Sequence, residues 1–280
     1  MSHLFARTKY FIELKLPWVA SQYRFLRDQY LTSRLRMTKT PLGFYMIGFN
    51  GMVESRFGSG ELSMFVKLLE STDIFVDVGA NYGVFTLTAK QSGVQSIAFE
   101  PNQENCKILF ANLRQNNFLD VEIFPIAVSK SPNLLPLFGG IEGASLEKNW
   151  GGMMSTYSRL VPSNTLDNII GSRFAHERLL IKIDVEGHEF SVLEGSLQLL
   201  ARNPAPTWLL EHGFSENFSG HINPRFRQLF ELFWRYGYTC VTADQERRVV
   251  SKTDVERWLV QGSRDFGYLN YLFSKESIDA

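Results

Sequence analysis

The side chains best suited to binding a ligand lie in one glycine-rich stretch, the segment from Asp77 to Gly83 with the sequence DVGANYG. It follows the apolar run Ile74–Val76 and precedes a segment of helical character that begins at Val84. In an open α/β sheet, a turn between a strand and a helix lies at the carboxyl end of the strand, where nucleotide-like ligands bind. Gly79 and Gly83 would let the backbone approach such a ligand closely. The sequence therefore predicts a ligand site at this turn.

A second acidic residue fits the same site. In dinucleotide-binding folds, a carboxylate about 20 residues beyond the glycine turn accepts hydrogen bonds from a ribose diol. Glu100 stands 21 positions after Gly79, at the end of the next apolar run. Pro101 and Asn102 follow it, and asparagine is a favoured residue type for capping a helix. We predict that Glu100 binds a ribose.

The spacing of the glycines argues against a phosphate-bearing ligand. A dinucleotide fingerprint requires a second glycine where this chain has Asn81, and the Gly-Lys-Ser/Thr of a phosphate-binding loop is absent. A turn with a leading acid suits a ligand that carries an amino acid ammonium group instead. S-adenosylmethionine is such a ligand, and we expect it here.

Four stretches of the chain resemble the FkbM family of S-adenosylmethionine-dependent methyltransferases. They are residues 73–86 (DIFVDVGANYGVFT), 99–102 (FEPN), 165–167 (TLD) and 182–189 (KIDVEGHE), and the resemblance extends over roughly residues 54–275. The resemblance implies a class I methyltransferase, with a Rossmann-like, doubly wound sheet of seven strands in the order 3-2-1-4-5-7-6. It also implies transfer of a methyl group to a hydroxyl of a small molecule, sugar or glycolipid.

The hydrophobic pattern independently indicates an α/β fold from residue 73 onward, because continuous apolar strands alternate with helices. The predicted strands are 73–78, 96–100, 121–128, 179–185, 207–211, 238–242 and 268–273, and the predicted helices are 61–69, 84–92, 103–116, 189–202 and 224–236. Residues 41–60 suggest a hairpin or a loop over the site, and residues 130–165 suggest a mobile substrate lid. We divide the chain into a basic, amphipathic, helical appendage (1–50) and a methyltransferase domain (51–280).

With strands 1 and 4 adjacent, Asp77 and Asp184 are expected to face one crevice, where methyl transfer would need a base for a hydroxyl acceptor. The catalytic candidates are Asp184, Glu186, His188, Glu211 and His212. The cofactor-binding candidates are Asp77, Gly79, Ala80, Asn81, Gly83, Glu100, Pro101, Asn102, Ala127 and Asp184. Glu186 could instead cap a helix, and His188 could be a surface residue.

Two other chemistries are disfavoured by the residues around Asp184. The carboxylates and imidazoles could hold Mg²⁺ or Mn²⁺, but we expect no metal, and turnover that survives EDTA would agree. Amino methyltransferases that act on nucleic acid carry an Asn/Asp-Pro-Pro-aromatic run after strand 4, whereas this chain reads Asp-Val-Glu-Gly from Asp184 to Gly187. With no aromatic residue to stack a flipped base, nucleic acid is not the expected substrate.

Charge and composition bound the remaining possibilities. The formal net charge is zero, but residues 1–40 carry eight Lys/Arg and two Asp/Glu. This segment could contact an anionic membrane or pack on the catalytic domain. Cys106 and Cys240 lack metal-ligand spacing, so we expect free thiols in a cytoplasmic protein without a transmembrane segment. The alternatives left open are a non-catalytic cofactor-binding or membrane-surface scaffold module and, disfavoured by Asn81, a dinucleotide oxidoreductase.

Overall fold

A computed structural model describes residues 26, 30, 33–48, 60–141, 143–148, 150–152, 158–218 and 221–276. The strands are β1 (Arg36–Lys39), β2 (Tyr45–Gly48), β3 (Ile74–Val78), β4 (Gln95–Phe99), β5 (Glu122–Phe124), β6 (Ala127–Val128), β7 (Asn133–Phe138), β8 (Ser158–Asn164), β9 (Leu179–Ile183), β10 (Thr207–Glu211), β11 (Thr239–Thr242) and β12 (Asn270–Ser274). The helices are α1 (Gly60–Leu69), α2 (Val84–Gln91), α3 (Gln103–Gln115), α4 (Leu166–Ile169), α5 (Glu189–Glu194), α6 (Leu197–Ala201), α7 (Phe226–Arg235) and α8 (Lys252–Gln261), with a 3₁₀ turn at Trp150–Gly152.

The central sheet has seven strands in the order β11-β12-β10-β9-β3-β4-β5. Counted along the chain within this sheet and read from the β5 edge, the order is 3-2-1-4-5-7-6. Only β12 runs antiparallel to its neighbours. The predicted α/β fold with a mostly parallel seven-stranded sheet is confirmed. Strand order reverses between β3 and β9, which pair directly and therefore bring their carboxyl ends together.

The strands are buried on both faces, as continuous apolar runs predict. All five residues of β3 and all five of β9 are buried. Ile74, Val76 and Val78 pack into the core on one face of the sheet, whereas Phe75 packs against helices α1 and α2 on the other. Because side chains alternate along a strand, Asp77 shares the face of Phe75.

Several predicted boundaries are wrong for identifiable reasons. The predicted strand 121–128 is two strands, β5 and β6, and the predicted helix 189–202 is interrupted between α5 and α6. Gly195 lies at that interruption, where a Cβ atom would stand 2.2 Å from the carbonyl oxygen of Ser129. Helix α8 was not predicted, although Ser251 and Asp254 form a capping box at its start.

The segment predicted as a mobile lid contains regular structure. Strands β7 and β8 pair antiparallel, and β8 also pairs with β6 to form a small three-stranded sheet. Strands β7 and β8 occupy much of the span 130–165, so a loop without regular structure is wrong there, whereas the role as a mobile substrate lid stays a prediction.

In the described part of the N-terminal appendage, residues 26, 30 and 33 are helical and the segment from β1 to β2 is a hairpin. Strands β1 and β2 pair antiparallel, and the Asn112 side chain on α3 bonds both the amide and the carbonyl of Ile47. Most of residues 1–32 and all of 49–59 lie outside the described residues, so the helical prediction for the first segment and the domain boundary stay predictions. Within the described ranges, no helix is long and apolar enough to cross a membrane.

Candidate active site

The turn after β3 packs directly against the backbone after β9. The amide of Asp184 donates to the carbonyl of Val78 over 3.0 Å. Gly79 has a φ of 88°, and a Cβ atom there would stand 1.9 Å from the Asp184 carbonyl oxygen. Gly79 is therefore required for contact between the two turns, and its role in the approach of a ligand stays a prediction.

Gly83 is also needed for packing inside the protein. Its φ is 92°, it precedes helix α2, and a Cβ atom would lie 2.4 Å from Cδ1 of Leu109. Gly83 does not line the cavity at this edge of the sheet. The prediction that it admits a ligand is therefore wrong, because its neighbour is the side chain of Leu109 on α3.

The amides of this turn are directed into the protein. Those of Gly79 and Ala80 both donate to the carbonyl of Phe99, over 2.9 and 3.0 Å. The amide of Asn81 donates to a carboxylate oxygen of Glu100 over 2.8 Å. A phosphate bound at a helix N-terminus needs amides that point at it. This turn is thus unsuited to a pyrophosphate, in agreement with the sequence argument against a dinucleotide.

A cavity of about 180 Å³ opens at the carboxyl ends of β3, β4, β9 and β10. Among the described residues, its lining includes four carboxyls and one ammonium, namely Glu100, Asp184, Glu186, Glu211 and Lys182. The predicted cofactor residues that line it are Gly79, Ala80, Asn81, Glu100, Pro101, Ala127 and Asp184. Such an excess of carboxyls suits a positively charged ligand.

Glu100 is held rigidly at the edge of the cavity. One carboxylate oxygen accepts from the amide of Asn81 and the other from the amide of Asn102, each over 2.8 Å. Burial raises the pKa of Glu100 to about 7 despite these two bonds. Each oxygen keeps a second lone pair for a ligand hydroxyl.

Asp77 does not reach the cavity. It is 1% exposed, and its carboxylate accepts from the hydroxyl of Thr86 on α2 over 2.6 Å. Burial raises the pKa of Asp77 to about 6, against the lowering effects of the charge on Lys182 and of the Thr86 bond. The carboxylate connects β3 to α2, so the expectation of direct cofactor contact is not met.

Lys182 is a site residue that the candidate set left out. Its ammonium donates to Asp184 over 2.8 Å and lies 4.3 Å above the ring of Phe85. Burial opposes the charge, but the charges of Asp184, Glu61 and Asp77 outweigh it and raise the pKa of Lys182. The sequence carried a signal, because a lysine interrupts the apolar strand β9.

Glu211 ends β10 and lines the cavity beside Asp184. No hydrogen bond of its carboxyl is found within the described part of the chain. The negative charge of Asp184 and then burial raise the pKa of Glu211 to about 8. The group is therefore mostly protonated at neutral pH in the ligand-free protein.

Glu186 is fixed from the loop that follows β7. Its φ is 55°, an uncommon value for a residue with a side chain, and the indole of Trp150 donates to its carboxylate over 2.7 Å. The hydroxyl of Ser145 donates to its carbonyl over 2.5 Å. A Cβ atom on Gly187 would stand 2.4 Å from the Trp150 ring. Glycine at this position thus allows the indole to pack onto the turn.

Both ring nitrogens of His188 have partners. Nδ1 lies 2.7 Å from a carboxylate oxygen of Glu147, and Nε2 lies 2.9 Å from the hydroxyl of Ser129. With Nδ1–H donating to Glu147, Nε2 accepts from Ser129. His188 does not line the cavity, so these bonds make it a connector between the loop and the turn.

His212 and Asn102 lie behind the cavity wall. His212 is 1% exposed, and its ring stacks on Phe226 with centroids 5.3 Å apart. Its Nδ1 is 3.7 Å from a carboxylate oxygen of Glu189. Asn102 caps helix α3 and donates to the carbonyl of Gly140. Neither side chain is in position to touch a ligand in the cavity.

Two buried amide oxygens in the cavity lining have no hydrogen-bond partner among the described residues. They are Oδ1 of Asn81 and Oδ1 of Asn105. Buried polar atoms are nearly always bonded, so both oxygens point to donors on a ligand. Asn105 was not among the sequence candidates. Within the same described residues, no group of three or more His, Cys, Asp or Glu is arranged to hold a metal ion.

A family model described as the methyltransferase FkbM domain matches residues 77–240. The comparison with curated proteins found no match. Among solved structures, WbdD is 15% identical with a TM-score of 0.42, covering 81% of this chain and 40% of that chain. A TehB-like SAM-dependent methyltransferase from Corynebacterium glutamicum is 10% identical with a TM-score of 0.40, covering 78% and 88%.

A precorrin-6y C5,15-methyltransferase from Geobacter metallireducens is likewise 10% identical, with a TM-score of 0.38 and coverage of 75% of this chain and 84% of that one. This chain spans 40% of the length of the WbdD chain that it matches. The family model covers more than half of the present sequence. Membership in this family implies S-adenosylmethionine as the cofactor. The chain belongs to the FkbM family of S-adenosylmethionine-dependent methyltransferases.

Proposed function

We propose that this enzyme transfers the methyl group to a hydroxyl, on a small molecule, a sugar or a glycolipid. The observation that carries the proposal is Glu211, a carboxyl that lines the cavity without a hydrogen bond among the described residues. A hydroxyl acceptor must lose its proton as the new oxygen–carbon bond forms. Glu211 is the group available to take that proton.

The chain's own residues fit the cofactor. When bound, S-adenosylmethionine supplies a methyl group on a positively charged sulfonium. Glu100 is proposed to accept hydrogen bonds from the ribose hydroxyls, because it lines the cavity and both its oxygens are already oriented by backbone amides. The orphaned Oδ1 of Asn81, adjacent to Glu100, supplies a further acceptor. Four carboxyls against one ammonium among the described lining residues offset the positive charge of the ligand.

The other catalytic candidates are less available for proton transfer. The carboxylate of Asp184 is already engaged by the ammonium of Lys182, over 2.8 Å. We assign Asp184 the role of raising the pKa of Glu211, and Glu186 that of orienting the acceptor. His188 has partners on both nitrogens, and His212 lies in the core, so the proposed catalytic set omits both.

Glu211 must be ionised to act as a base. Its pKa of about 8 is close to neutral, where a base is both largely available and strong enough to assist a hydroxyl. It gives up its proton more readily once a positive charge occupies the cavity, since an opposite charge lowers the pKa of a carboxyl. Turnover should therefore rise with pH through this range.

A transfer assay with an isotopically labelled methyl group tests the proposal. The protein is incubated with the labelled cofactor and a panel of glycans, lipid-linked sugars and hydroxylated small molecules. We expect label on an acceptor oxygen, a drop in kcat of about 10²–10⁴-fold in Glu211→Gln, and unchanged turnover in Glu194→Gln. Glu194 is a matched control because it is an exposed carboxyl on α5. Label on nitrogen, or full turnover by Glu211→Gln, would contradict the assignment.

A membrane-bound acceptor would suit the basic segment 1–40. We propose that the enzyme is cytoplasmic and that this segment contacts anionic lipid at the membrane surface. Co-sedimentation of the full chain with anionic and neutral vesicles at low salt tests this idea. Binding to anionic vesicles alone is expected. Equal pelleting with both, or with neither, argues against it.

A further inference from the structure

We propose that Asn105 selects the adenine base of the cofactor by accepting a hydrogen bond from its 6-amino group. The inference rests on the cofactor site proposed above and assigns one more specificity-determining residue to it. Neither the sequence pattern nor the family comparison singles out this position.

The carboxamide of Asn105 is both buried and incompletely bonded. The residue is 3% exposed and lines the cavity. Its Oδ1 is shielded from water and has no hydrogen-bond partner among the described residues. Burying such an oxygen without a donor is unfavourable, so the folded chain retains it only where something else supplies the donor. Because the residue lines the cavity, a ligand there can supply that donor when the carboxamide turns its oxygen toward the cavity.

The position of Asn105 in the fold places it at the adenosine end of the cavity. It lies in the first turn of α3, three residues beyond the helix cap Asn102, whose amide holds Glu100. Residues three apart lie on one side of a helix. Helix α3 follows β4, which is separated from β9 by β3. Asn105 is thus across the sheet edge from Asp184 and Glu211, where the methyl is transferred.

Only one donor of the cofactor remains for this oxygen. In the cofactor site proposed above, the ribose hydroxyls bond Glu100 and the neighbouring Asn81, whose amide donates to the Glu100 carboxylate. The ammonium group suits the carboxyls at the ends of β9 and β10. The cavity walls also include the apolar side chains of Phe99 and Ile126, which suit the faces of a purine. The 6-amino group at the purine edge is the donor left, and asparagine amides pair well with adenine.

The test compares two ligands in the intact protein. S-adenosylhomocysteine is titrated by calorimetry against its analogue that has hydrogen in place of the 6-amino group. A 6-oxo analogue is unsuitable, because the carboxamide could turn and donate to it from Nδ2. Wild-type protein is expected to prefer the amino compound about tenfold, the size of one buried hydrogen bond. Asn105→Leu should bind both compounds equally, at the wild-type affinity for the analogue.

Gln103→Leu is the matched control, since it removes an exposed carboxamide from the same turn of α3. It should keep the tenfold preference. The inference is overturned if wild-type protein binds the two compounds equally, a result that does not depend on how any variant folds. It is also overturned if Asn105→Leu keeps the preference. A wild-type protein that binds neither compound would instead overturn the cofactor site, and this inference with it.

Discussion

Replacing Glu100 by Gln should weaken cofactor binding and remove its pH dependence. Hydrogen bonds to a charged group are worth roughly 1.5–3 kcal/mol and those to a neutral group roughly 0.5–1.5 kcal/mol. With two ribose hydroxyls on one carboxylate, the neutral side chain loses about 2–3 kcal/mol, which corresponds to about 30–150-fold in Kd. One of the two amides that donate to Glu100 also faces the NH₂ group in the variant, which adds to the loss.

The affinity of the wild-type protein for the cofactor should depend on pH through the ionisation of Glu100. Glu100 has a pKa of about 7 in the free protein because it is buried. Ribose hydroxyls bind the ionised form of Glu100. The affinity for the cofactor should therefore decrease below about pH 7, approaching a tenfold loss per pH unit, and level off above that pH. Binding near pH 7 should also release protons to the buffer.

Calorimetry with S-adenosylhomocysteine from about pH 5.5 to about pH 8.5 measures both effects. Buffers of different ionisation enthalpy reveal the released protons. Glu104→Gln is the matched control, because Glu104 is a solvent-facing carboxyl in the first turn of α3, four residues beyond Glu100. Its affinity should equal that of wild type. A Glu100→Gln protein with wild-type affinity, or wild-type affinity that rises on acidification, would refute the assignment of Glu100 to the ribose.

Three further results are expected. The folded chain holds a proton on Glu211 up to about pH 8, whereas the unfolded chain releases it near the ordinary pKa, so stability falls as pH rises toward 8. The Tm should therefore be lower at about pH 9 than at about pH 6, with a smaller difference in Glu211→Gln. A Tm that rises over this range would count against the raised pKa of Glu211. Gly79→Ala should lower the free energy of unfolding, measured in urea, by more than about 3 kcal/mol, since its Cβ would overlap a backbone oxygen. Gly93→Ala shares a positive φ but meets no atom within 4 Å, and should cost only about 1–2 kcal/mol; equal costs would contradict the packing explanation. Trp150→Phe keeps an aromatic ring but loses the hydrogen bond to Glu186, so kcat should fall about tenfold while cofactor affinity is unchanged. A change in cofactor affinity alone would show that Glu186 acts on the cofactor instead.

The central sheet could be predicted because its signal is local. Strands such as β9 are continuous apolar runs, and the turn beginning at Asp77 has residue types that only a few ligand sites need. Glu100 could be located by its distance along the chain from Gly79, since the intervening helix fixes where the second strand ends.

The contacts of individual side chains could not be predicted in the same way. The side chains of Asp77 and Val78 point to opposite faces of the sheet. The sequence does not say which face is covered by α2 or which edge of the sheet leads to the cavity. The partners of Glu186, and the Glu147 carboxylate that contacts His188, come from residues 145–150, about 40 positions earlier, so no local pattern reveals them. Those contacts decided which acidic residue remains available as a base.

A crystal structure with S-adenosylhomocysteine tests the central claim most directly. The account predicts ribose hydroxyls within hydrogen-bond distance of Glu100 and a sulfur within about 8 Å of the Glu211 carboxyl, which leaves room for one methyl and one acceptor oxygen between them. A sulfur at the far end of the cavity from Glu211, or a ligand bound elsewhere on the chain, would contradict it.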